Sequence, residues 1–361
     1  MNGLYFPINN NSRSEADLIE LNKYQSRASK FARQNAKLDY CYHCGNKTTS
    51  FCNSHSVPRF CLTRIAVDGH LYQLSDVMDI QYSLNNPGVN KAGTFQLICN
   101  KCDAEIFANY ENPQIYKQIE ISQTALAQIA MKNYLHRISK RKYEIELYNL
   151  MLQRAIKNNF FDMQMHFRDE LRIKHIDLKE YRDYYKYAKN LISNSCEGYH
   201  VILNKHLDYT VPIAFQDCIV LLSDFYSNLL YNSHAIEDAS NMKNIHVVVF
   251  PLEKGSRIII FCEKKHSLHY KSFETKLNKL DLDDQLSAIN FIMFAYSEEI
   301  YLSKKIPQKT INKPALKRIA SLAGACTDSN NPLERERTAY SLVNRKKVPN
   351  LLSRYFDIDD N

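Results

Sequence analysis

Apolar residues recur at two different periods along the chain, and each change of period marks a new part of the protein. Ser14, with Asp17 three residues later, forms a capping-box-like helix start, and apolar residues then follow at helical spacing to about residue 36. Residues 41–112 instead carry short β-like runs separated by the turn sequences GNKT, VDGH, NNPG and KAG. The pattern therefore predicts a leading helix followed by a small β-rich module.

The rest of the chain shows three further patterns. From Ile115 to about Ser193 there is no proline or glycine, and apolar residues recur every three or four positions, which is typical of several helices. Between residues 200 and 300, two β-branched runs flank an EKG turn, and the stretch DLDDQLSAINFIMFAYSEEIYL has a helical pattern. After Ser303, prolines, the stretch SLAGACTDSNNP and several basic clusters indicate a partly ordered tail.

These patterns predict an α+β fold class, in which 361 residues are enough for two or three compact units. We expect the small module to be mounted on a mainly helical body with a C-terminal α+β region. The expected segments are an N-terminal helix (1–37), the module (38–113), a helical region (114–195), an α+β region with a regulatory role (196–305) and a basic C-terminal tail (306–361).

Composition and charge narrow the possible functions. The chain is 45% hydrophobic and 24% charged, which indicates a folded protein rather than a disordered one. A formal net charge of +8 favours a polyanionic partner through phosphate contacts and counterion release. The N-terminus lacks the layout of a signal peptide, and no apolar stretch is long enough for a membrane helix. We therefore expect a cytoplasmic protein that does not bind membranes.

Six of the ten cysteines lie between residues 41 and 102. The cytosol keeps thiols reduced, so clustered cysteines indicate a metal site, whereas scattered ones indicate core packing. Cys41 with Cys44, and Cys99 with Cys102, form two CxxC pairs, each of which can present two thiolates to one tetrahedral ion. Four cysteines leave no open coordination position, so the sequence predicts a structural zinc ion rather than a catalytic one.

Two alternatives remain open for these pairs. They could be ordinary core cysteines, or a redox pair, although neither CxxC opens a long helix after a buried strand as a thioredoxin-like pair does. The other six cysteines are expected to pack as small apolar side chains. They are Cys52, Cys61, Cys196, Cys218, Cys262 and Cys326.

The order of motifs in residues 38–112 resembles the HNH, or ββα-metal, endonucleases of the type framed by two zinc-binding CxxC pairs. The resemblance rests on the first CxxC, on the SHxxP segment at residues 54–58, and on LICNKC followed at once by Asp103. It implies a small zinc-stabilised ββα module that hydrolyses phosphodiester bonds.

The resemblance also implies roles for individual residues. His55 matches the general base, and Asp103 matches the helix residue that binds a catalytic divalent cation, Mg²⁺ or Mn²⁺. A middle polar residue orients the histidine in this family, and among Asn85, Asn86 and Asn90 we favour Asn90.

The residue before the catalytic histidine departs from the pattern of many members. They carry an acidic residue or a histidine there as a second metal ligand, whereas this chain has Ser54. A hydroxyl is a poorer ligand than a carboxylate, so the ion would depend on Asp103 with Glu105, Glu111 or waters.

The leading hypothesis is a metal-dependent endonuclease that prefers DNA to RNA, with a role in phage defence or in a mobile element and possible control by a regulatory protein partner. The basic run KNYLHRISKRKYE (132–144) is a candidate phosphate-binding surface, or else a solvated helix face. One rival is a non-catalytic zinc module that binds nucleic acid or protein. The other is an RNase centred on Arg168 and His175, whose spacing loosely resembles the motif of HEPN domains.

Overall fold

The computed structural model describes residues 15–77, 80–232, 242–297, 299–322 and 332–359. The leading helix is confirmed as α1 (Glu15–Asn35), whose predicted capping residue Ser14 lies outside the described residues. Within these ranges, no helix is both long enough and apolar enough to cross a membrane.

The predicted β-rich module contains short strands and two short helices. In chain order these are β1 (Ser54–His55), α2 (Arg59–Ile65), β2 (Tyr72–Val77), β3 (Ile80–Asn85), β4 (Thr94–Phe95) and α3 (Asn100–Phe107). Strands β1 and β4 form an antiparallel pair, the β1–β4 ribbon, in which Ser54 lies opposite Phe95 and His55 opposite Thr94. Helix α3 follows β4 closely, so the ribbon and α3 form a ββα unit.

The predicted helical region consists mainly of two long helices. A 3₁₀ turn (Pro113–Lys117) leads to α4 (Gln123–Lys157) and α5 (Phe161–Asn194), of 35 and 34 residues. Ser122 caps α4 by accepting a hydrogen bond from the Ala125 N–H at 3.2 Å. The three-residue connection makes α4 and α5 an antiparallel pair that is in contact along its length.

A seven-stranded antiparallel sheet forms the centre of the molecule. Its later strands are β5 (Tyr199–Leu207), β6 (Ile213–Ile219), β7 (Ile245–Pro251), β8 (Ser256–Glu263) and β9 (Glu299–Leu302). The strand order is β3-β2-β9-β6-β7-β8-β5, so β2 and β3 of the module extend the same sheet through β9. The predicted pair of β-branched runs around the EKG turn is confirmed as β7 and β8.

Both faces of this sheet are covered, which explains why every residue of β7 and β8 is buried. Val248 and Phe250 belong to the core beneath α4 and α5, whereas Val247 and Val249 belong to the core on the opposite face. That second core contains α6 (Lys271–Lys279) and α7 (Leu282–Tyr296). The core beneath α4 and α5 also contains Leu62, Phe95 and Phe107, so α2, β4 and α3 of the module lie on the α4–α5 side of the sheet.

The described part of the predicted tail packs onto the second core. It forms α8 (Gln308–Ile311), α9 (Pro314–Ala320) and α10 (Pro332–Ala339), followed by two 3₁₀ turns (Leu342–Lys347 and Arg354–Phe356). This differs from the predicted partly ordered tail, because its few apolar residues are spaced to reach one surface. Those that are fully buried are Ile311, Leu316, Leu342, Leu351 and Leu352.

Helix α4 carries buried charges that join it to its neighbours. Arg137 donates two hydrogen bonds to the Asp217 carboxylate of β6, at 3.0 and 2.5 Å, and Ser297 donates a third at 2.7 Å. Arg141 pairs with Asp177 of α5 at 2.8 Å. Neither interpretation of the basic run, a phosphate-binding surface or a solvated helix face, holds for Arg137 and Arg141, because both side chains are buried against protein carboxylates.

We predict that Arg137→Met lowers the free energy of unfolding by about 3–5 kcal/mol, because it leaves the Asp217 carboxylate buried without its counter-charge. The measurement is urea unfolding followed by circular dichroism. The matched control is Lys186→Met, whose exposed pair with Asp183 should contribute less than about 1 kcal/mol. Equal effects of the two variants would contradict the prediction.

Candidate metal centre and active site

Four cysteines from two distant parts of the sequence come together beside the ββα unit. The Sγ atoms of Cys41, Cys44, Cys99 and Cys102 all lie within 4.8 Å of one another. A zinc ion with bonds of about 2.3 Å to four sulfurs separates them by about 3.8 Å, so the group has the size of a tetrahedral thiolate site. The predicted cluster is confirmed, and it could hold a structural metal such as zinc.

Local backbone geometry presents these sulfurs. Gly45 adopts a φ of +76°, which allows the tight turn that returns its N–H to the Cys41 carbonyl at 2.8 Å. The Cys99 N–H donates to the Cys41 Sγ at 3.3 Å. Burial raises the pKa of Cys41, but backbone N–H groups outweigh it and lower that pKa to about 7. Burial and the neighbouring sulfurs raise the pKa of Cys102, so a bound cation would relieve the repulsion between the thiolates.

The first cysteine pair is anchored to α5, which the sequence did not predict. The Tyr185 hydroxyl lies 2.6 Å from His43 Nδ1, and Lys189 donates to the His43 carbonyl at 3.1 Å. The rings of Tyr42 and Tyr185 also meet edge to face at 5.4 Å. The long helix thus supports the loop between the two sulfurs of the first pair.

The other cysteines divide by environment. Cys218 and Cys262 are buried in the sheet and Cys61 is buried in the module, as predicted, whereas Cys196 is exposed after the end of α5. Cys52 is partly buried, and Cys326 lies outside the described residues.

His55 is half-buried on β1, and its ring is held by a backbone carbonyl. Nε2 lies 3.1 Å from the Val89 oxygen, which can only accept a hydrogen bond, so Nε2 carries the proton. In a neutral ring, Nδ1 is then the basic nitrogen, and it makes no hydrogen bond within the described part of the chain. Burial, together with the charges of Lys132 and Arg59, lowers the pKa of His55 below its usual range. At pH 7 the ring is therefore neutral and can accept a proton.

Asp103 lies in the first turn of α3 and is tied to β1. Its Oδ1 accepts a hydrogen bond from Ser54 at 2.7 Å and another from the Lys132 ammonium of α4 at 2.9 Å. Lys132 is only 1% exposed and lies 3.7 Å from the centre of the Phe107 ring. Burial would raise the pKa of Asp103, but Lys132 and Ser54 outweigh it and lower that pKa, so the carboxylate is ionised.

The potential metal ligands around Asp103 do not form a site for a divalent cation. Among the described residues, the four cysteines are the only group of three or more potential ligands. Glu111 accepts a hydrogen bond from the Arg59 backbone N–H at 3.1 Å, and Glu105 is exposed beside Lys101. A cation on Asp103 would meet a carboxylate that Lys132 already neutralises. The side chains present therefore do not fit the catalytic Mg²⁺ or Mn²⁺ expected there.

Asn90 and Arg59 form a pair near His55 that sequence reasoning did not find. The Arg59 Nη2 donates to Asn90 Oδ1 at 3.0 Å, while the Val89 carbonyl makes the contact with the imidazole that we expected from Asn90. The contact with Val89 could not be predicted from the sequence, because a backbone carbonyl is present at every residue. Arg59 is exposed, and its position directly after the SHxxP segment is the only sequence signal for it.

The residues of the rival RNase hypothesis lie on α5. Arg168 and His175 are both exposed, seven positions apart on the helix, which corresponds to about 10 Å along its axis. The described structure shows no hydrogen bond between them, and they lie on a different element from the ββα unit.

No family model matches this chain, and no curated protein and no solved structure matches it either. The functional interpretation therefore depends on the chemistry of the residues described above.

We predict that the purified protein contains about one zinc ion per chain, and that Cys41→Ser and Cys99→Ser each lose that zinc and unfold at a lower temperature. The control is Cys196→Ser, because Cys196 is exposed and lies outside the cluster. Metal analysis and thermal unfolding make the measurement. Metal-free wild-type protein with an unchanged transition after zinc addition would contradict the prediction.

Proposed function

We propose that this chain is an HNH-type endonuclease that hydrolyses phosphodiester bonds, and that His55 is its general base. The observation that supports this most strongly is the hydrogen bond from His55 Nε2 to the Val89 carbonyl, which leaves Nδ1 as the basic nitrogen of a neutral ring. Such a ring can take a proton from an attacking water at neutral pH.

The surroundings of His55 support the same proposal. The residue before it, Ser54, hydrogen-bonds Asp103 across to α3, and the cysteine cluster lies at the start of that helix. The β1–β4 ribbon, the helix and the four sulfurs together have the layout expected of a zinc-framed ββα module. This layout holds a base and a carboxylate on neighbouring elements.

Arg59 is the group best placed to meet a phosphate. It is exposed, its guanidinium is oriented by Asn90, and its charge acts on both His55 and Glu111. An arginine can pair with two phosphate oxygens at once and stabilise the charge that develops on them. In the proposed reaction, His55 receives the proton of the attacking water as the water oxygen bonds to phosphorus, and the bond from phosphorus to the leaving sugar oxygen breaks. The leaving oxygen takes a proton from solvent, while Arg59 holds the phosphate.

The finer parts of the proposal concern the substrate and the setting. We propose a preference for DNA, and the reaction above needs no divalent cation at Asp103. The excess of positive charge in the whole chain supports a nucleic-acid partner. We further propose a cytoplasmic role in phage defence or in a mobile element, under the control of a protein partner.

Two observations favour the non-catalytic alternative. Lys132 neutralises the carboxylate that should bind the catalytic ion, and Ser54 stands where many endonucleases of this type carry a second ligand. A zinc module that binds nucleic acid or a protein without cutting it would tolerate both features.

We predict that the wild-type protein nicks supercoiled plasmid and that His55→Ala reduces the rate by about 10²–10⁴-fold, as expected for the loss of a general base. The control is His166→Ala, because His166 is an exposed histidine of α5 outside the ββα unit. Parallel reactions with Mg²⁺, Mn²⁺, EDTA and an RNA substrate test the cation and the substrate class.

Absence of nicking under every condition, or undiminished nicking by His55→Ala, would contradict the enzyme proposal and support the binding module. RNA cleavage that survives both EDTA and His55→Ala, but not His175→Ala, would support the rival RNase.

We predict that the nicking rate rises with pH and then levels off, with a midpoint below the ordinary histidine value of about 6.5. The direction follows because only the neutral ring can act as a base, and burial lowers the pKa of His55. Initial rates from pH 5 to pH 8 make the measurement, with DNA binding followed in parallel. A midpoint above the ordinary value would contradict this assignment.

A further inference from the structure

The strand that carries His55 is joined to the large sheet by a buried tyrosine. Tyr301 lies on β9 and is 1% exposed, and its hydroxyl lies 2.8 Å from the Ser56 hydroxyl, one residue after His55. The Ser56 backbone N–H donates to the Gly93 carbonyl at 2.9 Å, next to the paired residues of the β1–β4 ribbon. Tyr301 therefore contacts the point where the ribbon ends.

The direction of these hydrogen bonds can be deduced. The Tyr301 hydroxyl donates its single proton to Glu299 Oε2 at 2.8 Å, because a carboxylate can only accept. Burial would raise the pKa of Glu299, but His136, Lys140 and the Tyr301 hydroxyl lower it to about 2, which keeps it ionised. Ser56 must then donate to Tyr301, so the chain runs from Ser56 through Tyr301 to Glu299.

His136 extends these contacts from Glu299 to the other strand of the ribbon. His136 of α4 lies 3.3 Å from Glu299 Oε2, and its imidazole contacts the Phe95 ring with centroids 5.4 Å apart. Phe95 is the residue paired with Ser54 in the ribbon. The ribbon is thus held on both sides, by Ser56 directly after β1 and by Phe95 on β4.

Gly93 shows how closely the tyrosine approaches the ribbon. A Cβ atom built on Gly93 would lie 2.0 Å from the Tyr301 hydroxyl oxygen and 2.6 Å from the Ser56 Oγ. Gly93 also has a φ of +59°, a conformation that other residues rarely adopt. The Tyr301 hydroxyl can approach this closely only because residue 93 has no side chain.

We propose that Tyr301 is a positioning residue for His55: through Ser56 it fixes the β1–β4 ribbon, so the large sheet controls the geometry of the proposed active site. The catalytic consequence rests on the proposed function, whereas the mechanical link does not. A partner that shifts β9 would then change the activity without touching His55.

The test compares Tyr301→Phe with Tyr209→Phe. Each variant removes one buried hydroxyl and keeps its ring, and the Tyr209 hydroxyl bonds the Leu352 carbonyl at 2.7 Å in the opposite core. For Tyr301→Phe we expect kcat for nicking to fall about 10- to 100-fold with KM changed less than about 2-fold, as for a displaced catalytic group. Tyr209→Phe should leave both constants near the wild-type values.

Two measurements do not depend on activity. The NMR signal of the His55 ring should shift, and hydrogen exchange of the Ser56 amide should accelerate, in Tyr301→Phe but not in Tyr209→Phe. Ser56→Ala should reproduce these changes, and the double variant should add little, because both substitutions break one link. Ser56→Ala also serves if Tyr301→Phe does not fold.

Unchanged His55 signals and unchanged Ser56 exchange in Tyr301→Phe would overturn the proposal. If the wild-type protein does not cut nucleic acid, the proposed function fails, and the NMR and exchange measurements still decide whether Tyr301 positions the ribbon.

Discussion

The repulsion among four closely placed sulfur atoms is the constraint on which the proposed site depends. Four thiolates within 4.8 Å of one another repel unless a cation neutralises them, and a bound cation would join the chain at residue 41 to the start of α3. That junction places Asp103 beside Ser54, and Ser54 precedes His55. A metal bound by the cluster would hold the start of α3 in place beside β1, although it would take no part in the proposed chemistry.

Helix α4 is the element that connects this small unit to the rest of the protein. Lys132 meets Asp103 of the module, Asn133 meets His246 of β7, and Arg137 meets Asp217 of β6. Each contact satisfies a buried polar group that would otherwise destabilise the fold. Burial lowers the pKa of His246 to about 3, which keeps its ring neutral at physiological pH. Polar contacts along α4 thus connect the helix to two strands of the sheet.

The ββα unit is therefore not structurally independent of the rest of the protein. Strands β2 and β3 extend the central sheet, α5 supports the loop between Cys41 and Cys44, and β9 reaches the ribbon through Tyr301. The segment 196–305, which we expected to be regulatory, is thus in direct contact with Ser56, the residue after His55. Any regulatory change in this segment would reach the β1–β4 ribbon through packed side chains rather than through a flexible linker.

Local sequence was enough to place the four longest of the described helices, the β7–β8 pair and the four cysteines, because these follow from short-range periodicity and from the fixed spacing of CxxC. It also singled out His55 and Asp103 through a motif. Local sequence could not show that Lys132 neutralises Asp103, or that the Val89 carbonyl orients His55 and Asn90 holds Arg59. Those partners come from elements that meet only after folding. A charged run such as residues 132–144 has the same periodicity whether its side chains meet carboxylates or water. Only the tertiary structure decides which charges are buried, since burial depends on the surface that packs against a helix and not on the helix alone.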